Sequence, residues 1–169
     1  MLLVTKSNII MENCTIVSNN IRNTGNYKSG GIHQRWGGTL KNCIVAFNTK
    51  CGRPEDTSYW NNDSAITAAN YINCCSDRAI TKFKAENGCI AADPKFVDPA
   101  NGDFRLQPNS PCVNAGSNAD WMTTNEIDPV TNKRKKVFDL AGVPRLYGEN
   151  VDIGCYEVWF PKGLTMSVK

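Results

Sequence analysis

Apolar residues along this chain fall in short runs, each broken within a few positions by Asn, Gly or Asp, and no helical period is sustained. One run repeats. Asn13-Cys14-Thr15-Ile16-Val17-Ser18-Asn19 returns 29 residues later as Asn42-Cys43-Ile44-Val45-Ala46-Phe47-Asn48, and the same spacing carries Leu3 onto Ile32 and Met11 onto Leu40. A less regular third copy, Tyr71-Ile72-Asn73-Cys74-Cys75, follows 31 residues further on. Each copy is too short to bury its own apolar face, so the copies must stack. Val, Ile and Thr around each Asn-Cys pair favour strand. Asn19-Asn20, Asn26, Gly30-Gly31, Gly37-Gly38 and Asn48 punctuate the segments as turns. Short strands, polar corners and a return near thirty residues predict an all-β chain built as a parallel β-helix of about three coils over residues 1–89. Residues 64–72, alanine-rich enough for a helix, read as strand because the repeat runs through them. Stacked coils place Asn13, Asn42 and Asn73 in a ladder, each amide bonding the next, and Cys14, Cys43 and Cys74 in an interior thiol stack beside it.

The pattern then changes. Residues 49–64 form a polar excursion whose Tyr59 and Trp60, with Trp36 on the neighbouring coil, offer a platform for a sugar ring; covering the coil edge is the simpler role for the same aromatics. Residues 90–160 form an irregular strand-and-turn closing region. Asp98, Asn101 and Asp103 there are spaced to give oxygens to calcium, although an Asx-turn explains them without metal. Phe104-Arg105-Leu106 reads as a short strand. Residues 117–138 read as a long polar loop, and its basic run Lys133-Arg134-Lys135-Lys136 as a solvated part of it. From Asp139 to Glu157 the turn signals sit between two short apolar runs, and Val151–Glu157 alternates like a half-buried strand. Asp139, Arg145, Asp152 and Glu157 are expected to hold these turns by charge-assisted hydrogen bonds. Residues 161–169 are a tail.

Composition narrows the function classes. A net charge of +3 is too mild to argue for nucleic acid, and no apolar run is long enough for a membrane span. The opening residues are not a signal peptide, so the chain is either cytosolic or begins inside a longer protein. Eight cysteines invite disulfides, with Cys51 to Cys75 or Cys89 the pairing to test, but no CxxC supports a zinc site. No acid or nucleophile stands out in the sequence to work with the sole histidine, His33, which is expected on an outward face. No catalytic set is identifiable, and no cofactor is implied beyond the calcium reading.

The segments DPKFVDPANGDFRLQPNSPCVNAG and DLAGVPRLYGENVDIGCYE, following Asn-Cys coils with Gly-Gly turns, resemble the C-terminal part of secreted bacterial right-handed parallel β-helix proteins that carry a choice-of-anchor Q domain. The resemblance implies a rigid scaffold of pectate-lyase-like architecture, right-handed, extracellular or on the cell surface. It makes this chain the C-terminal piece of a longer monomer that contacts polysaccharide or cell-surface glycan without cleaving it, or a cap ending the solenoid. The alternative it leaves is a calcium-dependent polysaccharide lyase. Lyase chemistry needs a base, for which Arg35, Lys41 and Lys50 are candidates, and carboxylates for calcium, from Glu12, Glu55, Asp56 and Asp63. Glu12 and Lys41 are also aligned across coils, as a plain cross-strand ion pair would be.

Overall fold

A computed structural model describes residues 2–4, 9–22, 29–34, 37–55, 57–59, 66–127, 129–130, 132 and 134–160, with 2–4, 57–59, 124–126 and 134 in main chain only. Its strands are short and lie in tiers. The first tier holds β1 (Leu2–Val4), β2 (Ile10–Glu12), β3 (Thr15–Val17) and β4 (Asn20–Ile21), and the second holds β5 (Ile32–Gln34), β6 (Thr39–Lys41), β7 (Ile44–Ala46) and β8 (Thr49–Lys50). After a hairpin strand β9 (Arg53–Pro54), the third tier holds β10 (Thr57–Tyr59), β11 (Tyr71–Ile72) and β12 (Cys75–Ser76), and β13 (Ile90–Ala91) adds one more strand. The sheets run β1-β5-β10, β2-β6-β11 and β3-β7-β12-β13, all parallel, and β4 pairs parallel with β8. The protein is mostly β, the described residues form no closed barrel, and their helices are single 3-10 turns.

The register follows the repeat with one slip. Met11 lies beside Leu40 and Thr15 beside Ile44, as the spacing predicts. Leu2 rather than Leu3 lies beside Ile32, because the connection from β1 to β2 is one residue longer than that from β5 to β6. The corners explain the Asn-Cys signature. Asn13, Asn42 and Asn73 have φ of 50, 52 and 47°, left-handed backbone that Asn tolerates better than other non-glycine residues. Each thereby turns the chain between two strands of its tier.

Alternation along β7 places the cores. Val45 joins Ile32, Leu40, Cys43, Tyr71 and Cys74 in an inner cluster. Ile44 and Ala46 point the other way, into a cluster with Cys75, Phe96, Leu106, Cys112 and Ile153. The sheet around β7 is thus buried on both faces, as parallel sheets usually are. The outer cover comes from the antiparallel hairpin β14 (Phe96–Asp98) and β15 (Asp103–Leu106) and from residues 112–115 and 151–158.

Several expectations need correction. Of residues 64–72, those described are 66–72, in which Ala68–Asn70 form a 3-10 turn and Tyr71–Ile72 alone are strand; Asn70 bonds the Thr67 N–H and the Gly38 carbonyl, which closes the turn locally. Residues 117–138 are not one loop, since Asp120–Met122 form a 3-10 turn and β16 (Thr123–Ile127) pairs antiparallel with β17 (Arg134–Lys136), which carries most of the basic run. Residues 151–157 make no strand, because their N–H groups go to side chains and to scattered carbonyls rather than to one neighbour. His33 is buried, only 4% exposed, because all three residues of β5 are covered.

Candidate functional site

Where a ladder is missing, side chains supply the acceptors. Asp139 Oδ1 accepts from the N–H of Ala141 and of Val143, closing the turn around Gly142, and its Oδ2 accepts from Glu157 N. Asp152 Oδ1 and Oδ2 accept from Asn114 N and Val158 N at 2.7 and 2.6 Å, and Glu157 Oε2 accepts from Asp152 N at 3.0 Å. Arg145, only 3% exposed, sits among these carboxylates, with Nη2 donating to the Gly154 carbonyl at 2.5 Å. Its Nη1 lies 3.2 Å from Glu157 Oε1 but out of line, so that oxygen has the charge beside it and no hydrogen bond.

Burial pushes the Glu157 carboxyl up from 4.5 to about 8, the Asp152 charge adding to the rise and Arg145 opposing it; burial also raises Asp152. A carboxyl raised on folding keeps its proton while the unfolded chain gives it up, so stability falls as pH rises through the window between the two values and levels off above it. The melting temperature should therefore fall between pH ~5 and ~8, and Glu157→Gln should flatten that slope; an equally steep slope in the variant refutes the assignment to Glu157.

The stacked residues differ from tier to tier. Cys14, Cys43 and Cys74 pack together as the repeat implies, and Cys89, expected outside the stack, joins them because β13 continues the sheet beyond β12. Cys43, Cys74 and Cys89 each donate to a carbonyl of the preceding tier, at Met11, Leu40 and Tyr71. Burial holds Cys74 well above the ordinary thiol range. All eight cysteines are free; Cys51 is exposed in the β8–β9 turn, far in environment from buried Cys75 and Cys89.

The asparagine amides do not bond one another at the Asn13 corner. Asn42 Nδ2 donates to Ser117 O and its Oδ1 accepts from Ser117 N, both at 2.9 Å, and the Asn73 amide turns toward Asn87 O and Ser117. The amide-to-amide contact appears one corner on, where Asn19 Nδ2 donates to Asn48 Oδ1 at 3.0 Å. Asn13 is 8% exposed, and neither polar atom of its amide has a partner.

The closing segments cross the tiers sideways and leave a cleft of about 390 Å³ beside the first tier. Glu12 and Asn13 contribute from β2 and its corner; Trp121, Phe138 and Leu140 contribute from the covering segments. Trp121 Nε1 donates to Glu12 Oε2 at 2.7 Å, and Lys41 Nζ lies 3.4 Å from Glu12 Oε1. Trp121, Phe138 and Leu140 are 46%, 56% and 73% exposed, an apolar rim over a polar floor. Sequence reasoning missed this site because its aromatics lie in stretches read as a polar loop and a turn. The isolated aromatics in those polar stretches were the available signal.

Of the other candidate residues, Lys50 and Glu55 line one cleft at the β8–β9 turn, and the rest do not converge. Trp36 and Trp60 lie outside the described residues, and Tyr59 is described only in main chain, beside Gln34 in β10. Arg35, Asp56, Asp63 and Lys133 also lie outside them, as does the 161–169 tail. Asp98 accepts from Asn101 Nδ2 at 2.7 Å, and Arg105 clamps both oxygens of Asp103, holding its carboxyl at about 2. One oxygen of Asp98 and both of Asp103 are thus engaged by donors. Among the described residues no group of three or more His, Cys, Asp or Glu side chains is placed to hold a metal ion, and no helix is long and apolar enough to cross a membrane.

No curated protein and no solved structure matches this chain. One family does, described as a domain of unknown function, DUF5123, and its match runs from residue 9 to residue 121. That span takes in the tiers from β2 onward, the β14–β15 hairpin and Trp121, so the chain belongs to the DUF5123 family.

Proposed function

We propose that this chain is the C-terminal part of an exported or cell-surface right-handed parallel β-helix of the choice-of-anchor Q type, which binds glycan and does not cleave it. The observation that carries the reading is the parallel return of the chain onto itself, with Ile10–Glu12, Thr39–Lys41 and Tyr71–Ile72 side by side. Such a stack is a rigid scaffold with a long lateral surface, suited to an extended polymer. The domain division follows from it, with coils over 1–89 and a lateral closing region over 90–160.

The lyase alternative draws no support from Glu12 and Lys41, which are ion-paired with each other, with Glu12 also engaged by Trp121. Fold alone does not decide between scaffold and enzyme. Incubating the purified protein with polygalacturonate and alginate, with and without calcium, is expected to release no unsaturated uronate. Release of that product overturns the non-catalytic reading.

A further inference from the structure

We propose that the cleft beside the first tier binds a ring of a neutral glycan, with Trp121 and Phe138 stacking on the sugar and the Asn13 amide and Glu12 carboxylate taking its hydroxyls. The proposal rests on the glycan reading above and assigns it a place on the molecule.

Two residues at the same corner make the case. Asn13 and Asn42 share left-handed backbone, with φ of 50 and 52°, one tier apart. Both polar atoms of the Asn42 amide are matched, one N–H out to Ser117 O and one N–H in from Ser117 N. The Asn13 amide is nine-tenths buried at the cleft and matched by nothing. A buried donor and acceptor left without partners are costly, and such groups in native proteins call for an explanation. Vicinal hydroxyls fit the pair, since each hydroxyl both donates and accepts.

The rim fits the rest of the sugar. Pyranose rings carry C–H faces that lie on aromatic rings, and Trp121 and Phe138 are large, exposed and on the same cleft. The Asn13 amide atoms lie just under the surface, while Trp121 is tied to Glu12 by an indole N–H bond. A sugar reaches the amide by drawing the indole off Glu12 and onto its own face. Glu12 Oε2 then accepts a hydroxyl in place of the indole N–H. Charge selects among sugars. Glu12 and Asp139 line the cleft, Lys41 is paired with Glu12, and Arg145, though part of the lining, is buried with Nη2 given to the Gly154 carbonyl, so among the described residues a uronate would meet carboxylates without an accessible unpaired cation.

Affinity electrophoresis of the whole chain in gels containing laminarin, xylan, galactomannan or polygalacturonate tests this, with tryptophan emission followed on titration. Retardation is expected in at least one neutral gel, with a change in emission. Trp121→Ala, Phe138→Ala and Asn13→Gly should each weaken that binding by about tenfold or more, the scale of one lost anchoring contact. Gly keeps the left-handed corner open, and because the Asn13 amide bonds nothing, Asn13→Gly should melt where the parent protein does. Unchanged retardation in all three variants overturns the site and leaves the glycan reading standing. Retardation by polygalacturonate alone overturns the neutral-sugar assignment. No retardation in any gel overturns the glycan reading and the site with it.

Discussion

Arg145→Ala should destabilise the fold by about 3–5 kcal/mol, the scale for removing one partner of a buried ion pair. Among the described residues the guanidinium is the only cation in the hydrogen-bond and ion-pair set shared by Asp139, Asp152 and Glu157. Without it, two buried carboxyls face each other and the Gly154 carbonyl loses its donor. The loss should be largest above the pH at which Glu157 ionises, because below it the carboxyl is neutral and needs no counter-charge. Arg145→Lys keeps the charge but not the guanidinium breadth that reaches the Gly154 carbonyl and the Glu157 carboxyl together, and should recover only part of the loss. Urea titration at two pH values measures both effects; for a chain of this size the melting temperature should fall by roughly 10 °C. A loss below about 1 kcal/mol would mean that the cluster is solvated and holds nothing.

Asn42→Ala should cost about 3 kcal/mol, from a different cause. It leaves Ser117 C=O without its donor and Ser117 N–H with only the Asn73 amide, at about 1–3 kcal/mol for an unsatisfied group, and puts a Cβ-bearing residue at φ 52° without the local bonding that Asn has. Asn42→Gly relieves the backbone part and so isolates the hydrogen bonds. The contrast with Asn13→Gly, expected to be close to neutral, is the sharper measurement. The two positions share sequence context and left-handed backbone, and Ser117 meets the amide at only one of them. Equal losses at both corners would refute the distinction between a structural and a vacant amide.

The tiers could be read from the sequence because their cause is local. An asparagine that accepts left-handed backbone, a small thiol that packs inward and alternating β-branched residues recur at Asn13, Asn42 and Asn73, so spacing alone gave the register from Met11 to Leu40. The slip at Leu2 was not legible, since one extra residue between two strands leaves no mark on composition. Cys89 was missed because its return to the stack takes 15 residues, half a repeat, through the 3-10 turn at Ala85–Asn87. The closing region failed more deeply. Alternation in Val151–Glu157 looked like a strand, yet what fixes those residues is contact with Asn118, Cys112, Asn42 and Thr15, all remote in sequence. The cleft at Trp121 is legible only after that crossing is known, because Glu12 and Trp121 are 109 residues apart.

That crossing also bears on how the molecule comes apart. A bare stack of tiers is nearly one-dimensional and can lose its end tier while the rest stays intact. Here the Cys155 N–H bonds Thr15 Oγ1 across 140 residues, Trp121 bonds Glu12, and Ser117 clasps Asn42. Residues late in this sequence are thereby fastened to residues early in it, so loosening of the first tier must also release the segments that cover the third. Unfolding becomes a joint event rather than an unzipping. Folding, for its part, must wait for contacts of very long sequence separation, which makes it slow and leaves the tiers uncovered until synthesis has passed residue 155.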